Sequence, residues 1–199
     1  EVGGVKQYVK FTGVGTIGVR ASDGRFLWRE DSAANPTANC SSPQVAGEYV
    51  FSASNYGTGG ACVKLAADGE SVSAELLYTS GEMTSHHGDM VIVDGLVFAS
   101  NDSGILVCLE LATGERKWRS RTVGKGSMTF ADGRIYLRSE SGKMALVEAT
   151  GDGYREHGQF EEPHRSTSSA WPHPVIAHGR LFLRDQDRLL CYDIRAPAQ

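Results

Sequence analysis

The sequence predicts an all-β fold, and three observations support this prediction. No window of roughly 11 residues or more has the apolar periodicity of a helix, whereas short alternating apolar and polar runs cover the chain. A strand–turn–strand phrase occurs as ILVCLELATGERKW at residues 105–118 and again as IGVRASDGRFLW at residues 17–28. A second phrase, a glycine followed by an alternating apolar and aromatic strand, begins at Gly47, Gly95, Gly133 and Gly179.

The repeat has the length of a β-propeller blade. The second phrase returns at intervals of roughly 40 to 50 residues, the period of blades that each contain four short antiparallel strands. The chain divides into a partial blade at 1–30, whole blades at 31–80, 81–121 and 122–161, and a partial blade at 162–199. We therefore expect a half-propeller, which is a fragment or a unit completed by another chain. Closure on itself, with the partial blades sharing strands, is the alternative.

The strands can be placed in order along the chain. The first unit lacks an inner strand and consists of strands at 5–11, 15–19 and 26–28. The third unit has all four strands, at 90–93, 96–99, 105–111 and 117–119. The last unit supplies three strands and reaches Arg195 without a fourth. The 24 glycines suit the many tight turns that such an arrangement needs.

Composition limits the classes of partner. The 199 residues are 40% hydrophobic and 22% charged, which is typical of a globular domain. The net charge of −4 gives no reason to expect nucleic acid as a partner. No apolar run approaches the roughly 20 residues of a membrane-spanning helix, and no signal-peptide pattern is found. We therefore expect neither a nucleic-acid partner nor a membrane span.

Several phrases carry a family resemblance. The docking phrases ATGERKW and ASDGRFLW, and longer runs such as VGKGSMTFADGRIYLRSESG and SAWPHPVIAHGRLFLRDQD, resemble the C-terminal half of bacterial PQQ-binding-like β-propeller repeat proteins. This family lies in the quinoprotein alcohol dehydrogenase-like superfamily. The resemblance covers essentially the whole chain and implies a periplasmic or secreted protein. It also implies that Trp28 and Trp118 are structural residues that dock one blade against the next, with Tyr154 near a third, weaker docking position.

The four cysteines are expected to be mostly free thiols. Cys108 and Cys191 align with each other, and with Gly18 and Ala145 in the other units, which indicates a tightly packed site for small residues. No CxxC spacing occurs, so a metal or redox motif is not indicated. A disulfide between Cys40 and Cys62 stays open as the one pairing to test.

Candidate binding residues lie in the segments that lead into the inner strands. In a propeller these connections open on the same face as the turns between the second and third strands, beside the central channel. The turns are residues 55–57, 101–103, 139–141 and 185–187. Loops on a rigid scaffold are where binding groups collect. The ligand-binding candidates on this channel face are Asn39, His86, His87, Lys125, Ser127, Trp171, His173, Arg184 and Asp185.

Other roles for these residues compete with ligand binding. Polar side chains at the channel mouth can simply satisfy backbone groups. A metal ion shared by His86 and His87 is disfavoured, because neighbours on an extended chain point apart. Arg138 and Arg184 occupy matching places after their strands, and this repetition favours structural salt bridges. No catalytic residue and no metal ligand is assigned.

Two functions remain open. We prefer a non-catalytic scaffold that binds a protein partner or a small-molecule ligand on the channel face, or that adds a strand or a second copy at an open blade edge. The alternative is a PQQ-dependent alcohol dehydrogenase or a degenerate relative, with the quinone near Trp171, its carboxylates near Lys125 or Arg184, and calcium held from outside this segment. The resemblance implies adjacent cysteines and a Glu, Asn and Asp calcium site, and the sequence lacks the cysteine pair. No cofactor is therefore assigned, and PQQ with calcium stays the alternative.

Overall fold

The computed structural model describes residues 1–86 and 90–195, and these residues form strands and connections without a helix. Their strands make five antiparallel sheets, and in each sheet every strand pairs with the next one along the chain. Three sheets have four strands and two have three, so the predicted propeller of three whole and two partial blades is confirmed. In the described residues, nothing is both helical and long enough to cross a membrane. Where one repeat unit ends and the next begins stays a prediction.

The partial blades lie at the two ends of the chain. Blade 1 consists of β1 (Gln7–Thr12), β2 (Gly15–Arg20) and β3 (Phe26–Glu30). Blade 5 consists of β16 (Val175–Ala177), β17 (Arg180–Asp185) and β18 (Arg188–Asp193).

The whole blades lie between them and share one four-strand meander. Blade 2 consists of β4 (Gln44–Ala46), β5 (Tyr49–Ser54), β6 (Gly59–Asp68) and β7 (Ser71–Ser80). Blade 3 consists of β8 (Met90–Val93), β9 (Leu96–Ser100), β10 (Ile105–Glu110) and β11 (Arg116–Arg121). Blade 4 consists of β12 (Gly126–Ala131), β13 (Arg134–Ser139), β14 (Lys143–Glu148) and β15 (Glu156–Glu161).

The apolar core lies between successive blades. Phe51 of blade 2 packs with Val97 and Leu109 of blade 3, and Phe98 of blade 3 packs with Ile135 of blade 4. The first strands of the blades contact one another in order, β4 with β8, β8 with β12 and β12 with β16. Because each of the three whole blades lies between two other sheets, its middle strands are mostly buried.

Three aromatic residues occupy one repeat position on the outermost strands. Each stands opposite a small residue on the neighbouring strand, and a bulge follows each pair: Gly18 with Trp28, Cys62 with Tyr78, and Cys108 with Trp118. A side chain at Gly18 would collide with the Trp28 indole, which explains why the opposite residue is small. Trp28 and Trp118 are only 4% and 9% exposed. Tyr78, which the sequence reading missed, is the equivalent residue of blade 2.

Blade 4 departs from this pattern, and two expectations change with it. The pair at the same bulge is Leu146 with Gly158, so no aromatic residue stands there. Tyr154 instead packs edge-on against Trp118, with ring centroids 5.9 Å apart, and therefore belongs to the interface of blades 3 and 4. The equivalent of Cys108 is Leu146 rather than Ala145, because the turns after β10 and β14 differ in length.

The cysteines are all free thiols, as expected, but the tight packing predicted for Cys191 was wrong. Cys40 is exposed in the connection before β4, whereas Cys62 is buried in β6, so the two do not form a disulfide. Burial raises the pKa of the Cys62 thiol to about 11 and that of Cys108 to about 12. Cys191 is exposed rather than tightly packed, since blade 5 has no fourth strand over it among the described residues.

Candidate functional site

One face of the propeller collects polar side chains from four blades. Three come from turns between the second and third strands, and three come from connections that lead into a first strand. We call these six residues the polar rim: Asn55, His86, Asp102, Lys125, Glu140 and Trp171. The convergence follows from the meander, because every such turn and every such connection opens at the same end of its sheet.

The polar rim is continuous from blade 2 to blade 5. Asn55 Nδ2 lies 2.9 Å from His86 Nδ1, and this ring nitrogen lies 2.8 Å from Asp102 Oδ1. Lys125 Nζ lies 2.9 Å from His86 Nδ1, 3.4 Å from Asp102 and 3.6 Å from Glu140. Trp171 Nε1 donates to Glu140 Oε1 over 3.1 Å. All but one of these contacts join a turn to a connection, and the exception, Lys125 with His86, joins two connections, so the rim ties neighbouring blades together.

His86 holds the most contacted position in the rim. Its Nδ1 can donate to Asp102 when it carries a proton, or accept from Lys125 or Asn55 when it does not, but it cannot do both. The rim holds two carboxylates and one ammonium, and so carries an excess of negative charge when His86 is neutral. Such a surface favours cationic and amide groups of a partner over an acidic ligand.

Exposed aromatic rings flank the polar rim. Tyr56 is 53% exposed and packs edge-on against His86, with ring centroids 4.9 Å apart. Trp171 is 61% exposed at the other end of the rim. Large apolar side chains that stay exposed beside polar groups are typical of binding surfaces.

A buried ion pair holds in place one of the segments that carry the polar rim. Arg138 Nε donates to Glu162 Oε1 over 2.5 Å, and both side chains are 0% exposed. Arg138 Nη1 also donates to the carbonyl oxygens of Pro172 and Arg184, over 3.0 and 2.8 Å. Arg138 therefore holds the segment that carries Trp171 against blades 4 and 5. Arg138 forms a structural salt bridge, as expected, but its partner Glu162 was not predicted from the sequence.

Two more of the ligand-binding candidates, Ser127 and Asp185, are buried and form hydrogen bonds within the chain. Ser127 Oγ donates to the Pro172 carbonyl over 3.5 Å. Asp185 accepts hydrogen bonds from Ser166, from the backbone N–H over 2.5 Å and from the hydroxyl over 2.7 Å. These hydrogen bonds lower the pKa of Asp185. Both residues fasten the segment before β16, and neither faces the rim surface.

Two of the remaining candidates, Asn39 and Arg184, make hydrogen bonds outside the polar rim. Asn39 exchanges hydrogen bonds with Asn35 inside the connection before β4. Arg184 is exposed, and its Nε donates to the Gln186 carbonyl over 2.9 Å, so the structure gives it no counterpart of the Arg138 ion pair within the described residues. His173 is exposed between two prolines. His87 lies outside the described residues.

The sequence predicted which turns open beside the connections, but not which of their side chains form the polar rim. Asn55, Asp102 and Glu140 stand in the turns that were predicted to open beside the connections, yet none of the three was among the candidates. The signal that could have found them was their shared place in the repeat, within two residues after the second strand of successive blades.

The described residues do not fit a quinone and calcium site. Within 1–86 and 90–195, no three His, Cys, Asp or Glu side chains lie close enough together to share a metal ion. Lys125, which could have matched a quinone carboxylate, lies between Asp102 and Glu140, and Arg184 points to a backbone carbonyl. The stacking face of Trp171 is the single element of such a site that the rim supplies.

Comparison with known proteins places the chain among bacterial propellers. The family model described as "Outer membrane protein assembly factor BamB" matches residues 1–120. BamB from Yersinia pestis is 31% identical over 101 residues, which is 50% of this chain and 24% of that protein.

Solved structures support the same fold. BamB from Moraxella catarrhalis superposes with a TM-score of 0.64 at 11% identity, over 94% of this chain and 57% of that one. The computationally designed Ika8 protein superposes with a TM-score of 0.68 at 10% identity, again over 94% and 57%. The chain thus spans little more than half the length of these propellers. Because the family model matches more than half of its residues, the chain belongs to the BamB family of PQQ-like β-propeller repeat proteins.

Proposed function

We propose that this chain is a non-catalytic, protein-binding propeller module that acts in the bacterial periplasm, in the assembly of outer-membrane proteins. Its membership of the BamB family supports the setting. The observation that carries the proposal is the polar rim with an exposed aromatic ring at each end, Tyr56 and Trp171. The polar rim would be the surface that holds the partner.

The chemistry of the rim suits an extended polypeptide. Tyr and Trp side chains supply large, rigid contact areas and account for much of the binding energy at protein interfaces. Between them, the carboxylates of Asp102 and Glu140 can accept from backbone N–H groups, and Asn55 can donate to carbonyls. The turns that carry these groups are anchored to buried strands, so little conformational entropy is lost when a partner binds.

Trp171 provides a direct readout of this binding. Trp28 and Trp118 are buried, so Trp171 is the indole whose emission responds to a partner at the rim. Titration with an unfolded outer-membrane β-barrel polypeptide should shift the emission to the blue and saturate. With a dye-labelled polypeptide followed by anisotropy, Trp171→Ala should raise the Kd about 30-fold, and Tyr56→Ala at least about fivefold.

A matched control separates the rim from general surface effects. Tyr8 is 65% exposed on β1, outside the polar rim, and Tyr8→Ala should leave the Kd unchanged. Equal affinities for the Trp171, Tyr56 and Tyr8 variants would show that the partner does not bind at the rim. Saturable, calcium-dependent binding of PQQ in a parallel titration would contradict a non-catalytic module.

A further inference from the structure

The interfaces between successive blades form a series with one exception. In the interface of blades 2 and 3, the Tyr78 hydroxyl donates to the Leu111 carbonyl over 2.9 Å. In the interface of blades 3 and 4, Trp118 Nε1 donates to the Thr150 carbonyl over 2.7 Å. Both carbonyls lie in the turn after the third strand of the next blade. An aromatic ring with a polar edge therefore closes each of these interfaces at the same place.

The interface of blades 4 and 5 has the equivalent docking position, but no aromatic residue stands there. Gly158 stands at the docking position, is exposed, and would find nothing within 4 Å of an added Cβ. Its φ lies outside the left-handed region, so a larger residue could adopt the same backbone conformation. The core cluster here contains only Met144, Leu181 and Leu183 as buried members, fewer than between blades 3 and 4.

A groove of about 410 Å³ opens where the ring is missing. Its lining is mostly apolar and comes from both blades: Tyr136, Leu146, Phe160, Leu181, Tyr192 and Ile194. Two polar side chains, Gln159 and Asp193, also line the groove. The rings of Phe160 and Tyr192 pack against each other in this lining, with ring centroids 5.1 Å apart. A groove lined by aromatic and aliphatic side chains suits an apolar ring.

We propose that this groove binds a tryptophan side chain carried on an extended segment of a protein partner. The ring would replace the one that blade 4 lacks and would pack against Leu181 and Tyr192 of blade 5. A polypeptide is the occupant because the equivalent grooves are all filled by rings that project from a strand. The groove lies between strand faces and not at the polar rim, so the inference does not depend on the proposed function.

A fluorine label reports on the groove alone. The probe is the blocked tripeptide Gly-(5-fluorotryptophan)-Gly, followed by ¹⁹F NMR as the full 199-residue chain is added. We expect a saturable shift with a Kd on the order of millimolar, as for a single buried ring. Tyr192→Ala should weaken binding about tenfold, because a ring that lines the groove is lost.

A second variant supplies the missing ring from the chain itself. Leu146→Ala with Gly158→Trp restores the pairing of a small residue with tryptophan seen at Cys108 and Trp118. This double variant should raise the urea midpoint of unfolding and weaken the probe at least tenfold. Trp171→Ala, in the rim, should leave the probe affinity unchanged and thereby separates this inference from the proposed function.

The outcomes that overturn the inference are distinct. The absence of a saturable shift at tens of millimolar, or a shift that neither Tyr192→Ala nor the double variant alters, would show that the groove is not the site. Free 5-fluoroindole binding as tightly as the tripeptide would show that a small aromatic molecule, and not a polypeptide, is the occupant.

Discussion

At the scale of single residues, a buried ion pair affects the stability of the fold more than the exposed ion pairs do. Most ion pairs of this chain lie at the surface, as in Lys143 with Glu161, and such pairs contribute little to stability. Arg138 and Glu162 are different, because both side chains are fully buried and bonded to each other through two nitrogens. Taking one partner away leaves the other charge buried without compensation.

Arg138→Met should therefore destabilise the chain by about 3–5 kcal/mol, measured as the free energy of unfolding in urea. The double variant Arg138→Met with Glu162→Leu should recover much of this loss, since an apolar pair of similar volume avoids the desolvation cost. Lys143→Met, in an exposed pair, is the control and should change stability by less than about 1 kcal/mol. A loss as small for Arg138→Met as for Lys143→Met would contradict the assigned role.

At the scale of elements, the connection before β16 is built to present Trp171. Arg138 holds the Pro172 carbonyl, and the Ala170 N–H donates to the Glu140 carbonyl over 2.9 Å. Asp185, the last residue of β17, accepts two hydrogen bonds from Ser166 at the other end of the connection. The connection is thus fastened at both ends to blades 4 and 5.

The fastening by Asp185 should weaken in acid. Its hydrogen bonds with Ser166 lower its pKa in the folded state, whereas the unfolded carboxyl has a pKa of about 3.9. The stabilisation is present above that value and is lost as pH falls through the folded-state pKa. Unfolding in urea at pH 7, 5 and 3 should show Asp185→Asn less stable than the parent at pH 7, with the difference shrinking at pH 3.

The exposed neighbour Asp187 gives the control for this measurement. Asp187→Asn, in the turn after β17, should follow the parent chain at all three pH values. A gap between Asp185→Asn and the parent that stays constant from pH 7 to pH 3 would contradict the role given to the carboxylate.

At the scale of the whole molecule, the unpaired sheet edges at the two ends of the propeller govern association with other chains. Among the described residues, β1 and β18 each pair on one side only. Leu189 on β18 is 68% exposed, which adds an apolar side chain to an unpaired edge. Edges of this kind pair with other chains unless charge or a covering element prevents it.

The 199-residue chain should therefore self-associate as its concentration rises, which light scattering would show as an increase in mean mass. Leu189→Lys should reduce the association, because a charge on an edge strand opposes pairing. Val14→Lys, equally exposed but in the turn between β1 and β2, should not. A monomer that stays stable across the concentration range would contradict association through the edges.

The sequence by itself determined the propeller and the face on which its connections meet. The glycine and tryptophan phrases recur because each blade must bury both faces against its neighbours, and that local requirement is written into every repeat. It also indicated that Trp28 and Trp118 dock one blade against the next, since an indole at a fixed repeat position is typical of packing between blades.

Only the tertiary structure decided which side chains meet. His86 contacts Asn55 and Asp102 across 31 and 16 residues of chain, and Arg138 pairs with Glu162 across 24 residues. Such contacts depend on the angle between sheets and on the exact length of turns. One altered turn in blade 4 moved the docking position from the neighbourhood of Tyr154 to Gly158. Repeat spacing fixes the order of blades, but distances of 3 Å are set by packing, which no single repeat encodes.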